Sequence, residues 1–402
     1  MPHDDAAART DTVLTVGFLF NHDALHQVRH SAPVIAELVL VPDVQVVVLT
    51  SSAAQEAEVR HLIGAAAARV RFVALSVGAA ARALDAVLGL IVPFRRIAVL
   101  RENLEAFRTL DVLVVPESTS MMLRDRFGLA DLKFVRVQHG SGDRSVTFRP
   151  VIARFDLMLL AGEKVRERMI AAGLTTAERS ALVGYPKFDT VDPAAPGARL
   201  FANDRPTVVY NPHFEPTLSS WFDMGVDLLD WFAAQDRFNL IFAPHVMLFE
   251  RRIHASVEHR RMRWRRDLPD RYAGLPHMLI DTGSAASTDM SYMKAADIYI
   301  GDISSQIYEW IARPRPAIFL NPSHTDWRGS ADFAHWHLGE VVEGMDALPT
   351  ALDRAVTEPD TYAAAQGQAF ARTFSVTDEP ASRRAARAIV AHFRQKDQAG
   401  FS

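Results

Sequence analysis

Short, wholly apolar runs alternate with alanine-rich helical stretches along this chain, and the alternation runs its course twice. In the first series, residues 13–20, 44–49, 70–75, 112–115, 134–137 and 157–160 read as strands. Residues 22–40 and 55–68 read as helices, as does a longer stretch over 79–110 that is bent or broken at Pro93. Strands apolar on both faces need cover on both sides, which parallel sheets flanked by helices provide. The Pro- and Ala-rich segment 191–197 interrupts the pattern as linkers do. It then restarts with strands at 207–210, 240–243, 278–280, 298–300 and 317–320, and helices over 218–234, 286–295, 304–312 and 346–356. The expected fold class is α/β, with two Rossmann-like doubly wound domains (1–192 and 193–379) facing across a cleft. An amphipathic helix in the tail 380–402 could pack back on the N-terminal domain.

Composition narrows the function. Of the 402 residues 49% are hydrophobic and 23% charged, which excludes wholesale disorder, collagen and a coiled-coil rod. A net charge of −4 argues against general nucleic-acid binding but leaves room for a local basic patch. The absence of cysteine excludes disulfides, thiolate metal sites and cysteine nucleophiles. Residues 1–11 lack the basic and apolar regions of a secretory signal. The most apolar stretch, 87–94, falls far short of the ~20 residues a bilayer span needs. A cytoplasmic protein that at most touches a membrane surface is expected.

Three stretches carry candidate chemistry. A buried-type strand at 134–137 runs into Gln138, His139, Gly140, Ser141, Gly142 and Asp143. A histidine at a strand's carboxyl end can take a proton from a hydroxyl, and glycines let backbone approach a ligand. It can equally cap the strand. His245 repeats this grammar after 240–243 and Pro244, so two histidines, one per domain, could face each other; chance among 15 histidines is the alternative. The third stretch leads from strand 298–300 through Gly301 and Asp302 to Ser304 and Ser305, which read as a helix start able to hold phosphate oxygens or simply to cap the helix. Glu309 would lie about one turn inside, within reach of a ribose hydroxyl. Asn211, ahead of Pro212 and His213, could line the cleft. His335 and His337, with Trp327 and Trp336, read as a lid near substrate. Arg251, Arg252, Arg260, Arg261, Arg263, Arg265 and Arg266 interleave with Met262 and Trp264. That segment reads either as a solvated helix face or as a patch for an anionic membrane surface or a phosphate-bearing acceptor, rather than for nucleic acid.

Taken in order, His139-Gly140, Gly184-Tyr185-Pro186-Lys187-Phe188-Asp189, Ala243-Pro244-His245 and the stretch from Ala296 to Ser305 resemble the CDP-glycerol glycerophosphotransferases of teichoic-acid synthesis and their polyol-phosphate transferase relatives. A weaker match covers Arg328-Gly329 to Asp332-Phe333. The resemblance implies a GT-B-like fold with an acceptor-side N-terminal domain and a nucleotide-donor C-terminal domain. It also implies transfer of a polyol phosphate from a CDP-activated donor to an acceptor hydroxyl, which could be lipid-linked, with release of CMP. His139 would be the general base and His245 would steady the diphosphate. Gly140, Ser141, Asn211, Asp302, Ser304, Ser305, Glu309 and Arg328 would bind substrate. No cofactor is required, although a divalent cation could accompany the diphosphate. The chain departs from the family's flanks, with Ser141, Gly142, Asp143 and Arg144 after the first histidine–glycine pair. The alternatives are a GT-B glycosyltransferase or nucleotide-sugar epimerase, and a non-catalytic nucleotide-binding relative.

Overall fold

The structure is a computed structural model. It describes residues 13–399 apart from 23–24, 80, 83–93, 139, 141, 145–147 and 257–258, and without the side chains of 26 and 395–399. The break expected at Pro93 lies outside the described residues. The chain divides into two compact units: Met1–His139, Pro150–Thr190 and Ser375–Ser402 form the first, Gly140–Arg149 and Val191–Phe374 the second.

The first unit is built on a parallel sheet of seven strands, β1 (Leu14–Phe20), β2 (Val44–Thr50), β3 (Arg71–Ala74), β4 (Val112–Val115), β5 (Lys133–Val137), β6 (Leu157–Leu160) and β7 (Ser180–Leu182), in the order β3-β2-β1-β4-β5-β6-β7. Val16 pairs with Val46 on one side and Val112 on the other. All four residues of β4 and of β6 are buried, which is why these runs carry no polar alternation. The helix predicted over 22–40 is shorter and broken, a 3-10 turn at Leu25–His30 followed by an α-helix at Ala32–Leu38.

The tail forms a helix, Ala381–Ala399, whose Ala385, Ile389 and Phe393 join the core of the first unit beside Val34, Ile35 and Leu38. Its seat is the segment from Gly184 to Asp189. The Asp189 carboxylate accepts the first backbone N–H groups of the helix, from Ala381 (3.0 Å) and Ser382 (2.6 Å). Gly184 has φ +84°, and a Cβ there would lie 2.9 Å from the Ser375 carbonyl oxygen, so only glycine fits.

The second unit repeats the plan. Its sheet strands are β8 (Thr207–Asn211), β9 (Asn239–Phe242), β12 (Met278–Ile280), β13 (Ile298–Gly301), β14 (Ala317–Leu320) and β15 (Glu340–Val342), ordered β12-β9-β8-β13-β14-β15 and all parallel. Between β9 and β12 a separate antiparallel hairpin is made by β10 (Ile253–Ser256) and β11 (Arg261–Trp264). The arginine-rich segment is therefore an extended hairpin and not a helix face.

Three predicted helices of this unit are shorter than their periodicity suggested. That over 218–234 begins as a wide π-type turn at Trp221–Gly225 before the α-helix Val226–Ala234. The Trp221 ring fills the space where a Cβ of residue 225 would sit, so Gly225 is needed there. That over 286–295 splits into Ala285–Ser287 and Ser291–Ala295, with Met290 left-handed at φ +74° between them. That over 304–312 keeps only Ile307–Trp310.

Candidate functional site

Both sheets change direction between their first and fourth strands, and ligands of doubly wound sheets bind beyond the carboxyl ends of those strands. In the second unit this point lies after β8 and β13. Asn211 closes β8 fully buried; its amide donates to the Ala243 carbonyl (2.6 Å) and its oxygen accepts from the Tyr299 hydroxyl (3.5 Å). Asn211 thus ties two strands together, and its amide faces the sheet rather than solvent.

Asp302, directly after β13, is fully buried as well. Its carboxylate accepts from the backbone N–H of His213 (3.0 Å), Ser220 (2.7 Å) and Ile303 (2.6 Å) and from the Ser220 hydroxyl (2.8 Å). Burial pushes its pKa up, against the pull of those donors. Asp302 is the organiser of the loop that carries His213. Glu215 tightens the same loop by accepting from the N–H groups of Thr217 (2.9 Å) and Leu218 (2.8 Å).

That loop delivers His213 to His245, which follows β9. Their ring centroids are 5.0 Å apart, and Phe214 packs against both, at 4.3 Å and 4.7 Å. The His213 Nδ1 accepts from the Glu215 N–H (3.1 Å), and the His245 Nδ1 from the Met247 N–H (3.3 Å). In each neutral ring the remaining hydrogen therefore sits on Nε2, as a donor. Burial, helped by the nearby His245, Arg144 and His254, holds the His213 pKa well below the usual histidine value. The loop that carries His213 runs on through Thr217 and Leu218 into the wall of a cavity of about 380 Å³, which Arg144, His259, Arg261, Ser323, Thr325, Asp332 and Phe333 complete. Two guanidinium groups and several hydroxyls around such a volume suit an anionic ligand.

The loop after β5 enters this unit at Gly140. Gly140 has φ +74°, and a Cβ there would stand 3.0 Å from the Ser305 Oγ; at Gly142 it would be 3.3 Å from the Ser305 Cβ. The two glycines let the loop pass Ser305 closely. Asp143 then plugs into the unit, fully buried. Its carboxylate accepts from the Tyr308 hydroxyl (2.5 Å), the His335 N–H (3.1 Å) and the His335 Nδ1 (3.0 Å). The other ring nitrogen of His335 meets the Asp302 carbonyl (3.0 Å), to which the Trp336 indole also donates (2.7 Å). Both nitrogens of His335 thus face oxygen atoms, of the Asp143 carboxylate and of the Asp302 carbonyl. The 331–338 segment is accordingly a packed 3-10 helix, with His335 and Trp336 in the core, and not a lid.

Of the remaining sequence candidates, His139 and Ser141 lie outside the described residues. Ser304 is buried, its Oγ accepting from the Gln306 N–H (3.3 Å), and Ser305 is half-buried. The helix beyond them has four residues and starts at Ile307, so neither serine is its N-cap. Glu309 is buried in that helix, and exposed Arg328 lies over the Trp327 ring. The Asp143–His335 contact and the placing of Arg144 escaped sequence reading, whose signal was an aspartate and an arginine directly behind the glycine loop; Arg261 was singled out only as part of the arginine-rich segment.

Two parallel sheets of the same strand order, with a polar crevice at the switch point of the second, define an α/β protein of the GT-B-like class. The sequence profile of CDP-Glycerol:Poly(glycerophosphate) glycerophosphotransferase matches residues 158–391, more than half the chain, and the chain belongs to that family. It is accordingly a transferase that moves a polyol phosphate from a CDP-activated donor to an acceptor hydroxyl. A comparison with curated protein sequences gave no match. Among solved structures, a variant of the wall teichoic acid polymerase TagF aligns with a TM-score of 0.58 at 12% identity, covering 97% of this chain and 91% of that one. The same polymerase soaked with CDPG aligns at 0.58 and 13%, again covering 97% and 91%. A UDP-N-acetylglucosamine 2-epimerase aligns at 0.58 and 10%, covering 95% and 97%. At these identities the likeness is one of fold.

Proposed function

We propose that the crevice around His213, His245 and the adjoining cavity holds the diphosphate of a CDP-polyol donor, and that His139 is the base that activates the acceptor. The observation that carries this is the meeting of His213 and His245, their ring centroids 5.0 Å apart, at the switch point beside a cavity containing Arg144 and Arg261. Phosphoryl transfer asks a protein mainly for positioning and for stabilisation of charge on the phosphate oxygens. Two Nε2–H donors and two guanidinium groups supply that stabilisation without a proton being moved. In this reading Gly140, Ser141 and Ser305 would bind substrate.

The acceptor oxygen forms a bond to the phosphorus that bears the polyol. The bond from that phosphorus to the bridging oxygen breaks and CMP leaves with its electron pair. The hydroxyl proton passes to His139. A divalent cation, where one takes part, arrives with the diphosphate; among the described residues no three His, Asp or Glu side chains converge to hold one. We further propose a lipid-linked acceptor, met by the enzyme at the cytoplasmic face of a membrane. Among the described residues no helix is long and apolar enough to cross a bilayer, so such an encounter would be peripheral.

The test is CMP release from CDP-glycerol in the presence of a polyol-phosphate acceptor. His139→Ala should lower turnover 10²- to 10⁴-fold while leaving donor affinity nearly intact. Undiminished turnover in that variant would remove His139 as the base.

A further inference from the structure

The β10–β11 hairpin has two faces of opposite character. Inward, buried His254 bonds through Nε2 with the carbonyls of Leu248 (3.0 Å) and Arg251 (3.1 Å). Arg263 grips Asp223 with both guanidinium nitrogens (2.6 and 2.7 Å) and stacks on Phe222. These contacts fix the hairpin to the second unit. Strand alternation sends Ile253, Ala255, Met262 and Trp264 the other way, and the register sets Ile253 against Trp264 and Ala255 against Met262. Trp264 (69%) and Met262 (64%) are the two most exposed large apolar side chains among the described residues. Around this apolar face stand Arg251, Arg252, Arg260 and Arg266, all exposed and none in an ion pair with a described carboxylate.

We propose that this face docks on an anionic lipid bilayer, Trp264 and Met262 entering the headgroup boundary while the arginines meet lipid phosphates. An indole with an apolar body and one polar N–H suits that boundary, and each nearby arginine adds attraction to an anionic surface. Two copies meeting through this face would set one cationic rim against another, whereas an anionic lipid surface complements it. The hairpin also sends Arg261 and the neighbouring His259 into the wall of the cavity, so docking would bring the proposed donor site close to the lipid surface. The inference deepens the lipid-linked acceptor proposed above and identifies the surface that meets the membrane.

Flotation of the full chain with phosphatidylcholine vesicles, with and without phosphatidylglycerol, tests it. Binding is expected only with the anionic lipid, and it should weaken at high salt. Arg252→Ala and Arg266→Ala should each weaken binding about fivefold, and Trp264→Ser should weaken it further. CMP release with a soluble acceptor should be unchanged in all three, which separates failure of the docking from failure of the transferase reading. The blue shift in tryptophan fluorescence on binding should vanish in Trp264→Ser. Absence of vesicle binding, equal binding to neutral vesicles, or wild-type flotation of Trp264→Ser would overturn the proposal. So would a sedimentation-measured dimer that Trp264→Ser dissolves, which would assign the face to a second copy.

Discussion

The two units share one strand order yet treat their switch points in opposite ways. In the first, among the described residues, side-chain amides bridge the loops beyond the strand ends. The Asn21 amide donates to the Arg96 carbonyl (3.0 Å), and Gln55 spans the His22 carbonyl (2.5 Å) and the Ser51 N–H (2.9 Å). Among the described residues a cavity of about 10 Å³ lies beside them, room for about one water. In the second unit the corresponding loops are drawn back by Asp302 and Glu215, and the cavity beside them holds about 380 Å³. Topology supplies a place for a ligand, and the local carboxylates decide whether it stays open.

The largest expected effect probes the buried anchor of the open site. Asp143→Ala leaves three buried donors, the Tyr308 hydroxyl and two N–H groups of His335, without their acceptor and should cost roughly 3–5 kcal/mol, at about 1–3 for each buried donor left unpaired, read as a fall in Tm or in the denaturant midpoint. Glu37→Ala, which breaks the exposed pair with Arg383 in the first unit, should cost less than about 1 kcal/mol. Equal losses would mean that Asp143 is not the anchor described.

Next comes the contrast in chemistry. His245→Ala should reduce kcat about 10²- to 10³-fold, the usual cost of removing one charge-stabilising donor. In the first unit, Asn21→Ala should change kcat little beyond any loss of stability. A severe kcat defect in well-folded Asn21→Ala would erase the distinction between the units.

A smaller effect concerns the seat of the C-terminal helix. Gly184→Ala forces a side chain into a left-handed position against Ser375 and should cost about 1–3 kcal/mol. At Gly64, with φ +53° and open space around it, the same change should cost less. Calorimetry of both variants separates the close approach from the backbone term.

The smallest is a pH effect. The His213 pKa lies lower in the folded chain than in the unfolded chain, so the unfolded state takes up the proton first as acid is added. This contribution to stability is complete above about pH 6.5 and is lost as pH falls below it. His213→Asn should flatten that part of the stability profile, measured by urea unfolding at several pH values. An unchanged slope would mean that His213 is not held neutral.

The class of fold was legible because runs such as 112–115 and 157–160 are apolar at every position, which only a doubly covered sheet tolerates. The strand ends carrying His213, His245 and Asp302 were legible for the same reason. The roles of Asp302 and Asn211 were not, because a carboxylate that binds substrate and one that caps a neighbouring loop look alike in sequence; only their full burial separates the two. Helix periodicity continued through Met290 and Gly225, where a left-handed residue and the Trp221 ring interrupt the α-helix, and sequence spacing holds no record of either. The Asp143–His335 contact joins residues 192 positions apart, beyond the reach of any local pattern.

The most direct test of the open crevice is calorimetric titration of the full chain with CDP-glycerol, beside the same titration with UDP-N-acetylglucosamine. Saturable binding of the CDP donor, weakened at least tenfold in an Arg144→Ala, Arg261→Ala double variant that stays folded, is the expected result. Preference for the UDP-sugar, or CDP-glycerol binding indifferent to both arginines, would contradict a donor diphosphate held beside His213 and His245.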